Sequence, residues 1–286
     1  DGDAFVYAQI PDSTEYTDAQ LQAMVHAVKN GVTTATYELH DTIMPHDPGI
    51  FAGPTHKLYY FHTTGLLALD SSATYRIDIT AKGNSISAQS PVVGWIKPTG
   101  GIYSQPLRLV ANGGSYATQP IHWNSSVNGR RYEISYRFNW DEVTPTDTVH
   151  KSFVQPIGTF VSNGTSGNEA MSATMDGESF YRIVSLKVES NPAVIQRIFR
   201  GVDIIWAVAG NDLHTYLQLN SPISGIVEDR PTFSNVTNGY GLFTTRRFRE
   251  LSKSLDANSI PELVQGQYTA GLLFCVPGSS PPFGCN

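Results

Sequence analysis

The dipeptides His40-Asp41 and His46-Asp47, with His56 and His62 downstream, hold the side chains that bind zinc or a similar cation through imidazole and carboxylate. Neighbouring residues on a strand point to opposite faces, so neither dipeptide can chelate as a unit there. Pro45 and Pro48 bracket the second dipeptide and mark it as a turn, where Asp bonds backbone. His56 and His62 would share one face of a tyrosine-rich strand, a setting for packing. Asp1, Asp3, Asn211 and Asp212 offer hard oxygens without the spacing of a calcium loop. No metal and no cofactor is therefore expected.

Nucleophilic chemistry has no better footing. The Gly-x-Ser-x-Gly elbow is absent, and Gly164-Thr165-Ser166-Gly167 and Asn112-Gly113-Gly114-Ser115 are loop compositions. Carboxylate pairs for glycoside hydrolysis exist at Asp141-Glu142, Asp176 with Glu178, and Glu228-Asp229, but turn acidity is the expected role of each. Asp176-Gly177-Glu178 in particular reads as a hairpin turn. Phosphate-binding glycine loops are missing. Trp95, Trp123, Trp140 and Trp206 could stack on sugar rings, although three of the four lie in strand-like segments where core packing is the default.

The elements that would position these groups are mostly strands. Period-two or β-branched runs cover 4–10, 33–39, 57–61 and 74–80, and a second group covers 107–111, 119–123, 131–140, 151–156, 179–190, 202–209 and 268–276. The clearest is 131–140, with Tyr132, Ile134, Tyr136, Phe138 and Trp140 on one face and Arg131, Glu133, Ser135, Arg137 and Asn139 on the other. Helix is expected at 17–30, with Asp18 as N-cap and Gly31 as stop, at 191–200, and as a short piece at 248–255. The best linker is Lys97-Pro98-Thr99-Gly100-Gly101. The fold class is thus mainly β: an immunoglobulin- or fibronectin-like sandwich over 1–96, then a larger antiparallel β-sandwich or partly closed barrel over 102–286, with few short helices.

The segment 220–243 is dense in turn formers. Pro222, Gly225, Arg230, Pro231, Asn235, Asn238, Gly239, Gly241 and Phe243 predict a shaped loop packed across one end of the larger domain. Phe233, Tyr240, Leu242 and Phe243 would anchor it, and Arg230 would meet an acid or carbonyl. With no nucleophile–base pair and no ligand set, the loop reads as a structural clasp.

A formal net charge of −6 gives no electrostatic footprint for nucleic acid, and no run of 18 apolar residues would span a bilayer. Only two cysteines occur, Cys275 and Cys285. The turn-rich segment between them favours a disulfide over free thiols, and hence an oxidising compartment.

The run from Val208 to Arg246 includes Tyr216 to Asn220, Arg230 to Asn235 and Asn238 to Phe243, and these motifs resemble the last third of uncharacterised outer-membrane lipoproteins of Bacteroidota. The segments 2–16 and 51–61 resemble the same group. The resemblance implies a β-rich protein facing the surface or periplasm on a lipid anchor, with no activity or catalytic residue to transfer. It also implies that the lipobox cysteine and the start of the first domain precede this chain. Asp12-Ser13-Thr14, Asp41-Thr42-Ile43 and Asp147-Thr148-Val149 resemble that phylum's O-glycosylation signal, at Ser13, Thr42 and Thr148. Asn124, Asn163 and Asn235 open N-glycosylation sequons. The expectation is an exported, non-enzymatic envelope component that binds a protein partner or assembles at the outer membrane surface. The alternatives are a carbohydrate-binding or glycan-processing surface protein and a secreted hydrolase with an unrecognised site.

Overall fold

The structure is a computed structural model, and it describes residues 16–17, 19–45, 47, 55–63, 69–220 and 232–285. The chain is mainly β, with open antiparallel sheets in a sandwich-like arrangement and a few short helices; no closed barrel occurs among the described residues. It divides into two compact units, Asp1–Val92 with Asp212–Thr245, and Val93–Asn211 with Arg246–Asn286.

In the first unit, β1 (Leu21–Lys29), β2 (Val32–Glu38), β5 (Thr74–Ala81), β6 (Asn84–Pro91) and β13 (Val236–Thr237) form one sheet in the order β13-β6-β5-β1-β2. A separate hairpin joins β3 (His40–Pro45) to β4 (Thr55–Tyr60). The expected helix at 17–30 is instead β1, paired on both sides through Val25 to Tyr37 and Ile77. Asn30 and Gly31, the supposed helix stop, both have positive φ (51° and 78°) and make the two-residue hairpin turn into β2. Lys82 and Gly83 repeat that device between β5 and β6. Val25, Ala27, Ala73, Tyr75 and Val92 form this unit's small core, with Phe243 packed against it.

In the second unit, β9 (Arg131–Val143), β10 (Thr148–Val161), β12 (Gln196–Ala209) and β14 (Arg246–Lys253) form a sheet in the order β10-β9-β12-β14, with β15 (Phe274–Cys275) parallel beside β12. A three-stranded sheet holds β11 (Ala170–Asp176), β8 (Thr118–Asn124) and β7 (Lys97–Thr99). The expected linker at 97–101 is therefore partly strand, since β7 pairs with β8. Alternate residues of β9, from Tyr132 to Trp140, are buried with Ile121 and Trp123 of β8 and with Val202, Ile204, Trp206 and Val208 of β12, as the 131–140 pattern required. A bulge between Pro156 and Gly158 interrupts the pairing of β10 with β9.

Further expectations fail here for one reason: a short periodic run is ambiguous until its partner is known. Residues 179–190 are not a strand but largely helix α2 (Gly177–Lys187), which follows a one-turn helix α1 (Gly101–Ser104). Phe180, Tyr181 and Val184 share its buried face, and Asp176, read as a hairpin residue, caps it by accepting from the Ser179 amide at 2.8 Å. Residues 191–200 and 248–255 are not helices; they enter β12 and β14, which pair with each other over eight residues. The segment 107–111 makes only isolated bridges. Two more α-helices among the described residues are α3 (Asn211–Leu219) and α4 (Ser259–Gln265), and a 3-10 helix follows at Ala270–Leu272.

Candidate functional site

One face of the four-stranded sheet covers the core; the other carries the best-formed polar constellation. Its positions follow from strand alternation. On β9 the odd residues face outward, and register places Arg137 beside Val154 and Asp203, Asn139 beside Ser152 and Gly201, and Asp203 beside Ser252. Arg137, Asn139, His150, Ser152, Arg200 and Asp203 line an open basin of roughly 440 Å³.

Asp203 is the hub. It accepts from Arg137 Nε at 3.1 Å, Asn139 Nδ2 at 2.8 Å and Ser252 Oγ at 2.5 Å. Arg137 also reaches Glu250 at 2.5 Å. Burial alone would raise the Asp203 carboxyl, but the bonds from Ser252, Asn139 and Arg137 outweigh it and hold it below the ordinary carboxylate range. At the end of the basin Asp141 accepts from His150 Nδ1 at 2.8 Å and Arg200 Nε at 2.7 Å. There too burial opposes and the two partners prevail, so Asp141 is held low.

An acid that orients an imidazole beside a serine is the outline of a nucleophilic triad. The remaining geometry does not complete it: no hydrogen bond joins Ser152 to His150, and Arg200 shares the Asp141 carboxylate. Asp141 and Glu142 also go to opposite faces. Glu142 lies inside, bonded to Arg197 Nε at 2.9 Å and Lys151 Nζ at 2.7 Å. Burial would raise it, yet these partners hold it low, so both carboxyls are ionised and neither is placed as a glycosidase acid. Asp176 is the helix cap already described, and Glu178 accepts from Tyr268. Glu228 and Asp229 lie outside the described residues.

Along the same outer face runs a second, shallower patch. Arg131 and Arg246 share Glu133 at 3.1 and 2.9 Å, and Arg246 stacks over Phe248. Phe248 and Val161 are exposed beside them, and Val154 is exposed farther along, opposite Arg137.

The other expected residues are placed as follows. Asp41 pairs with Lys57 at 2.8 Å, a bond that lowers its pKa, while Tyr60 stacks on His62 and meets His40 with the rings tilted. His56 stands opposite Met44, and His46 lies outside the described residues. No group of three or more His, Cys, Asp or Glu that could hold a metal occurs among the described residues. Of the tryptophans, Trp123, Trp140 and Trp206 are buried, whereas Trp95 is 59% exposed.

In the 220–243 segment, Pro222, Gly225, Arg230 and Pro231 lie outside the described residues. The remainder is shaped by side chains: Asn235 Nδ2 donates to Asp212 and to the Phe243 carbonyl, and its Oδ1 accepts from the Phe243 amide. Asn238 and Gly241 have positive φ, Gly239 sits against Val236 and Ile86, and β13 pairs with β6. This half of the segment groups with the first unit rather than with the larger one, and Tyr240 is exposed and anchors nothing.

Thr148 is exposed at the start of β10, Thr42 is half-buried on β3, and Ser13 lies outside the described residues. Asn235 is locked by its bonds, whereas Asn163 is exposed and its amide donates to Glu169. Cys275 and Cys285 form a disulfide, which fits a non-cytoplasmic, oxidising compartment. No helix among the described residues is long and apolar enough to cross a membrane.

No family model and no curated protein matches the sequence. Among solved structures the chain is similar to the C-terminal globular domain of oligosaccharyltransferase from Pyrococcus abyssi, at 13% identity and a TM-score of 0.25. The match covers 65% of this chain and 37% of that one, so the chain spans well under half of its length.

Proposed function

We propose that the protein is an exported, non-enzymatic component of a bacterial cell envelope, held at the outer membrane surface, that binds a protein partner through the outer face of the β10-β9-β12-β14 sheet. One observation carries this reading. The outer face joins a charged network already locked in place around Asp203 to exposed apolar side chains, Phe248, Val154 and Val161. Protein interfaces combine such apolar contact with polar groups whose geometry is set before binding. The outer-membrane placement rests on the resemblance to Bacteroidota lipoproteins, as do O-glycans on Thr42 and Thr148.

The test is co-purification from native envelopes. A partner recovered at fixed stoichiometry with the wild type, and lost with Phe248→Asp and Val154→Asp in a folded protein, is the expected result. Recovery unaffected by both changes, or a monomer without partner, ends the proposal. Intact mass of the native chain tests the glycans, since an unmodified mass removes them.

A second reading, a carbohydrate-binding surface protein, is favoured by a different observation. Trp95 holds a largely solvent-open indole, the flat apolar surface on which sugar rings stack. A neutral and acidic polysaccharide array separates this reading from the first.

A further inference from the structure

The core-facing side of β14 carries Arg247, Arg249, Leu251 and Lys253, in register with Val208, Trp206, Ile204 and Val202 of β12. Leu251 packs on the core. The three cations meet no carboxylate among the described residues, whereas Arg131, Arg137, Arg197, Arg200 and Arg246 of the same sheet each have one. Burial pushes the Arg247 guanidinium and the Lys253 ammonium down from their ordinary values, with no acid to offset it.

The donors are short of acceptors as well as the charges short of anions. Arg247 spends its Nε on the Val93 carbonyl at 2.6 Å and lays its guanidinium 4.5 Å from the Trp95 ring centroid. Arg249 follows one pleat repeat along, about 7 Å away, and its Nε is buried without an acceptor. Opposite it on β12, the fully buried Trp206 also has an indole N–H without an acceptor. A buried donor is ordinarily satisfied, and a buried guanidinium ordinarily paired.

We propose that Trp95, Arg247 and Arg249 form a subsite for a sugar residue that carries an oxyanion, a hexuronate or a sulfated hexose. The ring lies along the exposed indole, and the carboxylate or sulfate takes the guanidinium donors in charge-assisted hydrogen bonds. Neutral sugars would satisfy the indole but leave both cations without a counter-charge. The inference rests on the carbohydrate reading and narrows it to acidic glycans; it does not involve the outer face of the sheet.

The experiment uses the intact chain and calorimetric titration with oligogalacturonate, chondroitin sulfate oligosaccharide, their methyl-esterified and desulfated counterparts, and inorganic sulfate. At least one acidic oligosaccharide should bind saturably, and loss of its charge should weaken binding by about tenfold or more, as expected for a charge-assisted pair. Arg249→Met and Trp95→Ala should each do the same in a protein whose melting temperature has not fallen. Arg246→Met, on the same strand but facing outward, should leave affinity as it is. Equal binding of acidic and neutral forms overturns the anion subsite while the carbohydrate reading stands. Binding of neutral glycans alone does the same. Retention of no glycan removes both, and uptake of inorganic sulfate alone overturns the sugar assignment. Should Trp95→Ala fail to fold, Trp95→Phe with fluorescence of the remaining indoles gives the same discrimination.

Discussion

Along β14, Arg246, Glu250 and Ser252 turn outward into partners on β9 and β12, while Arg247, Arg249 and Lys253 turn inward and find no carboxylate among the described residues. One eight-residue strand thus presents a closed electrostatic surface on one side and an open one on the other. The outward groups are satisfied within the fold, so a partner there gains from shape and from groups held still. The inward groups keep unused positive charge, so a ligand there gains from charge. Arg197 supplies the control: it too lies on the core side of the sheet, but Glu142, the Leu272 carbonyl and the Glu189 carbonyl satisfy it at 2.7–2.9 Å.

The contrast breaks most sharply at that control. Glu142→Gln leaves Arg197 buried without its anion and should cost about 3–5 kcal/mol in urea unfolding; a loss below about 1 kcal/mol would show that buried arginines here need no acid. Next comes the outward hub. Asp203→Asn should cost about 1–2 kcal/mol near neutral pH, by weakening bonds from Arg137, Asn139 and Ser252.

The pH dependence gives this substitution a sign. Asp203 has a folded pKa below its unfolded value near 3.8. Its ionised form therefore contributes stability above that value, and the contribution is lost as pH falls through the folded pKa. The gap between wild type and Asp203→Asn should accordingly close in strong acid; a gap that stayed constant would deny the ionised hub.

Smaller effects sharpen the inward side. Arg249→Met removes a buried donor that lacks an acceptor, so ligand-free stability should stay level or rise by up to about 1 kcal/mol; a large loss would reveal an unseen partner. Arg246→Met removes a half-exposed ion pair and a surface stacking contact with Phe248, and should change stability by less than about 1 kcal/mol.

How much of this was legible in the sequence depends on the range of the signal. The alternation in 131–140 is local, and it placed both faces of β9 correctly. Asn30-Gly31 is also local, but it serves as helix stop or hairpin turn, and the pairing of Val25 to Tyr37 and Ile77 decides between them. Asp176 showed the reverse ambiguity, a turn residue that is a helix cap because Phe180, Tyr181 and Val184 bury at helical spacing. The Asp203 hub joins residues up to 66 positions apart, so no spacing rule could find it. The acceptorless side of β14 was hidden more deeply, because 248–255 read as helix, and a helix would have turned Leu251 away from Arg249 and Lys253, whereas the strand sets all three on one face.

The bulge between Pro156 and Gly158 has a consequence for the protein as a population of molecules. β10 is 14 residues long and lies at the end of its sheet, so its outer margin is a template on which a second strand could add and a third could follow. Pro156 offers no amide hydrogen there, the irregular register bends the strand, and Lys151 places a charge at its beginning. Such features disfavour the addition of a further strand along β10, and so open-ended association of one chain with the next.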